Sequence, residues 1–169
     1  MEIIVAVSQN NVIGDSITNS IPWNIPEDLN RFYMLTKGHV VIMGKNTYSS
    51  IPNGFLKNRI NIVITSNPLS HCKSNPDLYF TDMSGFWTLL QSLNIDDKKK
   101  FIIGGNPIFK LFYPYCNIVH FTRILKTVEG NVMFPLTAEQ LGNNKEESEV
   151  FYSKHEFTPY QFITYKLNN

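Results

Sequence analysis

His39-Val40-Val41-Ile42-Met43-Gly44-Lys45-Asn46-Thr47 is the stretch that decides the fold class. Four successive apolar residues, two of them β-branched valines, leave no polar face, so the strand they predict is buried on both sides. That is the pattern of a parallel strand covered by helices. Gly44 then turns the chain, and a short helix is expected from about Asn46 to Ser50. Working outward, the same logic recurs. Upstream, Glu2 to Val7 reads as another doubly buried strand, with an acid and no basic flank where a signal peptide would be basic. Pro26 opens a helix, because proline suits the first helical position and Glu27 and Asp28 suit its positive end; Gly38 closes it. Downstream, Ile60 to Ile64 predicts a third strand, stopped by Asn67-Pro68, and Leu78 to Phe80 a weaker fourth. Ser84 is expected to cap a helix running to about Leu93. Phe101 to Ile103 is the next strand, followed by Gly104-Gly105 and a helix from about Pro107 to Phe112.

Strands alone follow. Asn117 to Leu125 predicts one, and Val150 to Phe157 with Tyr160 to Leu167, joined through Thr158-Pro159, predict an antiparallel hairpin. Gly142 to Glu149, the most polar stretch, is expected as a surface loop, and Lys98 to Lys100 as a solvated lead-in to a strand. Strand–helix alternation giving way to strands predicts one α/β domain over residues 1–169, a mostly parallel sheet with an antiparallel edge.

Composition narrows the function. Of 169 residues, 43% are hydrophobic, enough for a sizeable core, and only 17% are charged. Fifteen basic against fourteen acidic residues leave a formal net charge of +1, no field for sequence-blind binding to nucleic acid or an anionic membrane. The apolar runs are too short and interrupted to span a bilayer as a helix. Cys72 and Cys116 stand far apart with no Cys-x-x-Cys pair, which fits a reducing cytoplasm.

In open α/β sheets ligands bind at the carboxyl ends of the strands. Four features fall there: Asn10 to Gly14 with the polar loop to Trp23, Gly44 to Thr47, Thr65-Ser66, and Gly104-Gly105. Two helix starts at neighbouring strand ends would suit a dinucleotide diphosphate, and Lys45 with Thr65 and Ser66 could hold a further phosphate monoester. Read singly, each is equally a solvated side chain or turn hydroxyl. Asp28 is in helical phase with Phe32 and Leu35, so it should face inward. It is either a helix-start acid satisfied by backbone N–H groups or a lone carboxylate on the floor of a cleft, accepting two parallel hydrogen bonds from an amidine-like ligand edge. Arg59, after a loop holding Phe55 and Leu56, is either a surface arginine or a bidentate clamp for a ligand carboxylate. His39, His71, His120 and His155 show no metal-ligand spacing and receive no role. No Ser-His-Asp or Cys-His set is visible, so chemistry would come from a cofactor.

These segments together resemble dihydrofolate reductases. Ile21-Pro22-Trp23-Asn24-Ile25-Pro26-Glu27-Asp28-Leu29 with Phe32 carries the resemblance most strongly. Val41 to Tyr48, Ser50-Ile51-Pro52, Arg59 to Ser66, Ile102 to Gly105 with Ile108-Phe109, Thr122, Val128-Glu129-Gly130 and Phe134-Pro135 follow in order over nearly the whole chain. The resemblance implies a three-layer α/β fold: an eight-stranded, mostly parallel sheet with an antiparallel C-terminal strand, flanked by about four helices. It implies NADPH-dependent reduction of 7,8-dihydrofolate to 5,6,7,8-tetrahydrofolate in one-carbon metabolism and thymidylate synthesis, with antifolate inhibitors expected; balanced charge and chain length suit a monomer, and the composition points to a cytoplasmic protein with no nucleic-acid or membrane partner.

By the same resemblance, Trp23, Asp28 and Thr122 form the catalytic group, Asp28 holding the pterin's amino group and neighbouring ring nitrogen. Ile4, Val5, Leu29, Phe32, Ile51, Leu56 and Ile103 would line the substrate pocket, and Arg59 would clamp the glutamate carboxylate. Ala6 and Ile13 would meet the nicotinamide, under a closing loop that includes Gly14, Asn19, Ser20 and Ile21. Gly44, Lys45, Asn46, Thr47, Thr65 and Ser66, with Gly104, Gly105, Asn106, Pro107, Ile108 and Phe109, would hold the rest of NADPH. The Gly104–Gly105 bond is expected to be cis. Asn106 and Pro107 depart from the residues common after the glycine pair, which shifts cofactor preference onto Lys45 and Ser66. Asn131 replaces an acid and bears on loop closure, and Ile21 stands where methionine is often found. A pteridine or pyrimidine reductase on the same fold, or a non-catalytic folate- or NADPH-binding relative, would have to explain away Asp28, Phe32, Arg59 and the glycine pair.

Overall fold

The computed structural model describes residues 1–68 and 75–168; Cys72 and His71 lie outside them. Eight strands form one sheet: β1 (Glu2–Ser8), β3 (Val40–Gly44), β4 (Ile60–Ile64), β5 (Leu78–Thr81), β6 (Lys100–Gly104), β7 (Ile118–Ile124), β9 (Lys145–Tyr152) and β10 (Pro159–Lys166). Their order is β5-β4-β3-β6-β1-β7-β10-β9. Every pairing from β5 to β7 is parallel, and β10 is antiparallel to both β7 and β9. β2 (Val12–Gly14) pairs separately with β8 (Val132–Met133).

Side chains alternate across a strand, so each central strand feeds two cores. Ile3, Val5, Val40, Ile42, Ile62 and Ile102 point to one face, where α3 (Met83–Ser92) supplies Phe86 and α4 (Asn106–Phe112) supplies Ile108, Phe109 and Phe112. Ile4, Val41, Met43, Val63 and Phe101 point to the other, covered by Phe32 and Leu35 of α1 (Pro26–Thr36) and Tyr48 of α2 (Lys45–Ser50). Three layers result. A fifth helix, α5 (Ala138–Leu141), exceeds the four expected; it is one turn closed by a Thr137–Gln140 capping box.

Three expectations are corrected. Asp82, not Ser84, caps α3: its Oδ1 accepts from the Gly85 amide at 2.8 Å, and the Ser84 hydroxyl donates to the same oxygen. The stretch Gly142–Glu149 is not a loop, because Lys145 onward forms the edge strand β9, while the C-terminal part of the predicted strand Val150–Phe157 is the connection to β10. Its polarity is that of an exposed sheet edge, where charge blocks pairing with other chains; Lys145 reaches Glu147 at 2.6 Å and Lys166 reaches Glu146 at 2.7 Å. The lysine triplet is more than a solvated lead-in, since Lys99 bonds Glu2 at 2.9 Å and Lys100 donates to the Ile95 carbonyl at 2.8 Å. His120, given no role above, completes this cluster: its Nε2 lies 2.6 Å from Glu2 Oε2, buried at the start of β1.

Candidate active site

The site begins with a break in the sheet. β1 and β6 pair only at Glu2↔Phe101 and Ile3↔Ile102, whereas β1 stays paired with β7 through Ser8↔Ile124. On its other side β6 pairs with β3 through a register shift that matches Ile42 to Ile102 and Met43 to Gly104. The extra residue, Ile103, bulges the strand. The carboxyl halves of β1 and β6 thus separate, with Val5 and Ala6 on one bank and Ile103, Gly104 and Gly105 on the other.

Asp28 stands on the first turn of α1, beside this opening. Its carboxyl lies near enough to Thr122, the β7 residue paired with Ala6, to be stabilised by that hydroxyl. No amide of its own helix start, among the described residues, is found to donate to that carboxyl, as the alternative would require. The helix N-cap is Ile25, which offers no side-chain acceptor, and the first-turn amides of Asp28 and Leu29 return to the Ile25 carbonyl. Burial pushes the Asp28 carboxyl above the usual carboxylate range, while the nearby Thr122 hydroxyl and the charge of Arg31 pull it back. Ile25, Ile124 and Tyr160 form a buried cluster against which Ala6, Trp23 and Phe162 pack.

The bank of the opening beside α1 is apolar and half open. Phe32, Ile51, Phe55, Leu56 and Ile103 are partly buried against Ile4 and Met43 in one cluster. Leu29 points outward, 57% exposed, at the rim. Arg59 is only 7% exposed. Its guanidinium lies 5.5 Å from the Phe32 ring centroid and 5.3 Å from that of Tyr33, and its buried Nε has no hydrogen-bond partner. A sequestered guanidinium with a donor to spare is matched to a ligand carboxylate, and it is not the surface arginine that was the alternative.

Asn61 was missed from the sequence. Buried within β4, it accepts from the Leu56 amide and donates to the carbonyls of Leu56 and Arg59, all at 2.9 Å. It sets the loop that presents both residues. The one amide within Ile60-Asn61-Ile62-Val63-Ile64 was its signal, because a polar residue in a doubly buried strand needs partners.

The opposite end carries the features suited to a nucleotide. Gly44 and Ile64 are register partners, so exposed Lys45 and Ser66, with buried Thr65, emerge side by side at adjacent strand ends. The Gly104–Gly105 peptide is cis, and Gly104 has φ +120°, closed to ordinary side chains. A Cβ on Gly104 or Gly105 would lie 3.5 or 3.4 Å from Thr47 Oγ1, so the turn presents bare backbone toward α2. This cradle and its cation and hydroxyls fit a phosphorylated cofactor. Asn106 turns away, Nδ2 donating to the Met133 carbonyl at 2.7 Å. Phe109 is buried against Phe134, ring centroids 5.7 Å apart, which leaves its backbone for any ligand contact. The polar loop is folded on itself: Asp15 and Ser20 exchange backbone hydrogen bonds, and Asn131 Oδ1 accepts from the Ser16 amide at 2.9 Å. Ile13 and Gly14 lie at its base and Asn19, at φ 51°, at its turn, while Ile21 is 53% exposed.

A desolvated carboxyl beside a split in the sheet, with an anion-suited cradle at the neighbouring strand ends, is the layout of an α/β enzyme whose chemistry comes from a bound cofactor. The family model for dihydrofolate reductase matches residues 1–167. The dihydrofolate reductase of Bacillus subtilis (strain 168) is 34% identical over 170 residues, covering 98% of this chain and 94% of that protein. That of Haemophilus influenzae is 33% identical over 153 residues, covering 90% and 86%. The solved structure of dihydrofolate reductase from Enterococcus faecalis, complexed with NADP(H) and RAB-propyl, superposes with a TM-score of 0.79 over 99% of this chain and 96% of that one. At 24% identity that likeness is one of fold. The chain belongs to the dihydrofolate reductase family. It is an oxidoreductase, and its reaction is the NADPH-dependent reduction of dihydrofolate to tetrahydrofolate.

Proposed function

We propose that Asp28 is the group on which this reduction turns. NADPH, when bound, supplies the hydride. The pterin imine accepts a hydride only when its nitrogen carries a proton, and Asp28 is the carboxylate positioned to favour that cation. The single observation that carries the reading is its setting: half-buried beside the split in the sheet, near the Thr122 hydroxyl, with burial raising its proton affinity. A desolvated carboxyl of that kind gains most from a cationic ring edge laid against it. Thr122 fixes its direction, and Trp23 and Ile25 close the pocket floor against water.

The remaining assignments carry over from the family resemblance. Ile4, Val5, Leu29, Phe32, Ile51, Leu56 and Ile103 pack the pterin and benzoyl rings, and Arg59 takes the glutamate carboxylate. Ala6, Ile13 and Gly14 border the nicotinamide, with Asn19, Ser20 and Ile21 on the loop above it. Gly44, Lys45, Asn46, Thr47, Thr65 and Ser66 hold the rest of NADPH, together with Gly104 to Phe109. No helix among the described residues is long and apolar enough to cross a membrane. The proposed state is one catalytic domain, a cytoplasmic monomer that antifolates inhibit in competition with dihydrofolate.

The test is Asp28→Asn, followed by NADPH absorbance with and without dihydrofolate. The expected result is loss of most turnover at neutral pH, intact NADPH binding, and partial recovery in acid, where substrate protonates without help. Unchanged turnover near neutrality refutes the role.

A further inference from the structure

Arg31 is a cation beside the acid that the reaction as described does not use. It follows Asp28 by three positions on α1, the spacing that brings two side chains to one helix face. Its guanidinium carbon lies 4.7 Å from the centroid of the Phe162 ring. Phe162, on β10, is the register partner of Thr122, whose hydroxyl lowers the proton affinity of Asp28. Arg31 Nη1 is buried and has no hydrogen-bond partner. The charge is therefore held by an aromatic face and not discharged by a direct bond at that nitrogen.

We infer that Arg31 is a positioning residue: seated on Phe162 behind the acid, it sets the field in which Asp28 meets the substrate's cation, and so the pH range of the reaction. The inference rests on the reading of Asp28 given above. A nearby positive charge lowers the proton affinity of every group that shares the pocket. Other groups face the same region. Glu27, on the same helix, accepts from the Lys154 amide at 3.2 Å and keeps a second buried oxygen without a partner. Tyr160 on β10 is pushed up by burial and by the charges of Glu27 and Asp28. Glu27, Lys154 and Tyr160 border, with Arg31, a hollow of about 490 Å³ between α1 and the β9–β10 hairpin. Glu27 offsets part of the arginine's field but follows Ile25 and Pro26 at the helix start, whereas Arg31 is in phase with Asp28.

The experiment is a carboxyl ¹³C NMR titration of Asp28 in the free protein, paired with the pH profile of kcat/KM. Arg31→Gln is expected to raise the Asp28 midpoint by about one pH unit, roughly tenfold in proton affinity, and to carry the alkaline limb of kcat/KM upward with it. Arg31→Lys keeps the charge and should leave both within about 0.3 unit, a twofold change. Phe162→Leu keeps the charge but removes its seat, and should move the midpoint the same way by less. An unmoved midpoint in Arg31→Gln overturns the inference, as does a lysine variant that shifts as far as glutamine. A uniform loss of kcat with no displaced limb also overturns it, since that is what a purely structural role predicts. Should Arg31→Gln not fold, an unmoved titration in Phe162→Leu decides against it. If Asp28→Asn keeps its turnover, the reading of Asp28 fails, while the NMR titration still reports whether the two charges are coupled.

Discussion

Glu2→Gln tests how far the catalytic sheet depends on an ion cluster at its opposite end. Glu2 bonds His120 at 2.6 Å and Lys99 at 2.9 Å, which join β1 to β7 and to the lead-in of β6. The His120 bond, outweighing burial, holds the carboxyl down at about 2 from an ordinary value of 4.5. A group whose folded pKa is depressed contributes stability above its unfolded pKa and loses it as pH falls toward the folded one. A difference of about 2.5 units corresponds to about 3.4 kcal/mol at neutral pH. By about pH 3 roughly 2 kcal/mol of that is gone. Urea unfolding of both proteins near pH 7 and pH 3 reads it directly, with the midpoint and slope separating stability from compactness. The wild type should exceed Glu2→Gln by about 3 kcal/mol at pH 7 and by only about 1 kcal/mol at pH 3. Equal gaps at the two pH values would refute the reasoning, because they would mean that the ionised carboxylate gains nothing from its partners.

Arg59→Gln should raise the KM for dihydrofolate tenfold to hundredfold with little change in kcat, since a charge-assisted pair is worth about 1.5–3 kcal/mol; a control substrate lacking the glutamate carboxylate should show no such change. Asn61→Leu should produce part of the same KM defect by releasing the Leu56 and Arg59 main chain. At Gly130, a Cβ would lie 2.6 Å from Val12 Cγ1 and 2.8 Å from the Gly14 carbonyl. Gly130→Ala should therefore spread the β2–β8 corner under the polar loop, weakening NADPH binding in fluorescence titration more than it lowers the thermal midpoint.

The sheet's character and the ingredients of the chemistry are legible along the chain. Val40 to Met43 and Glu2 to Val7 are apolar at consecutive positions, and only a strand covered on both faces accommodates that. The helix phase of Asp28 with Phe32 and the glycine pair after β6 were equally local, because spacing along one element decides which residues share a face. The edge strand β9 was hidden by its polarity, which obeys solvent exposure and not strand period. The partners of charged groups were hidden too. Glu2 finds His120 across 118 positions of chain, and Arg31 finds Phe162 from another element. Those pairings, and the parting of β1 and β6 after Ile3 that opens the site, arise from how the chain folds back on itself in space. Burial and charge act through space, and the path of the chain fixes which distant residues share a low-dielectric pocket.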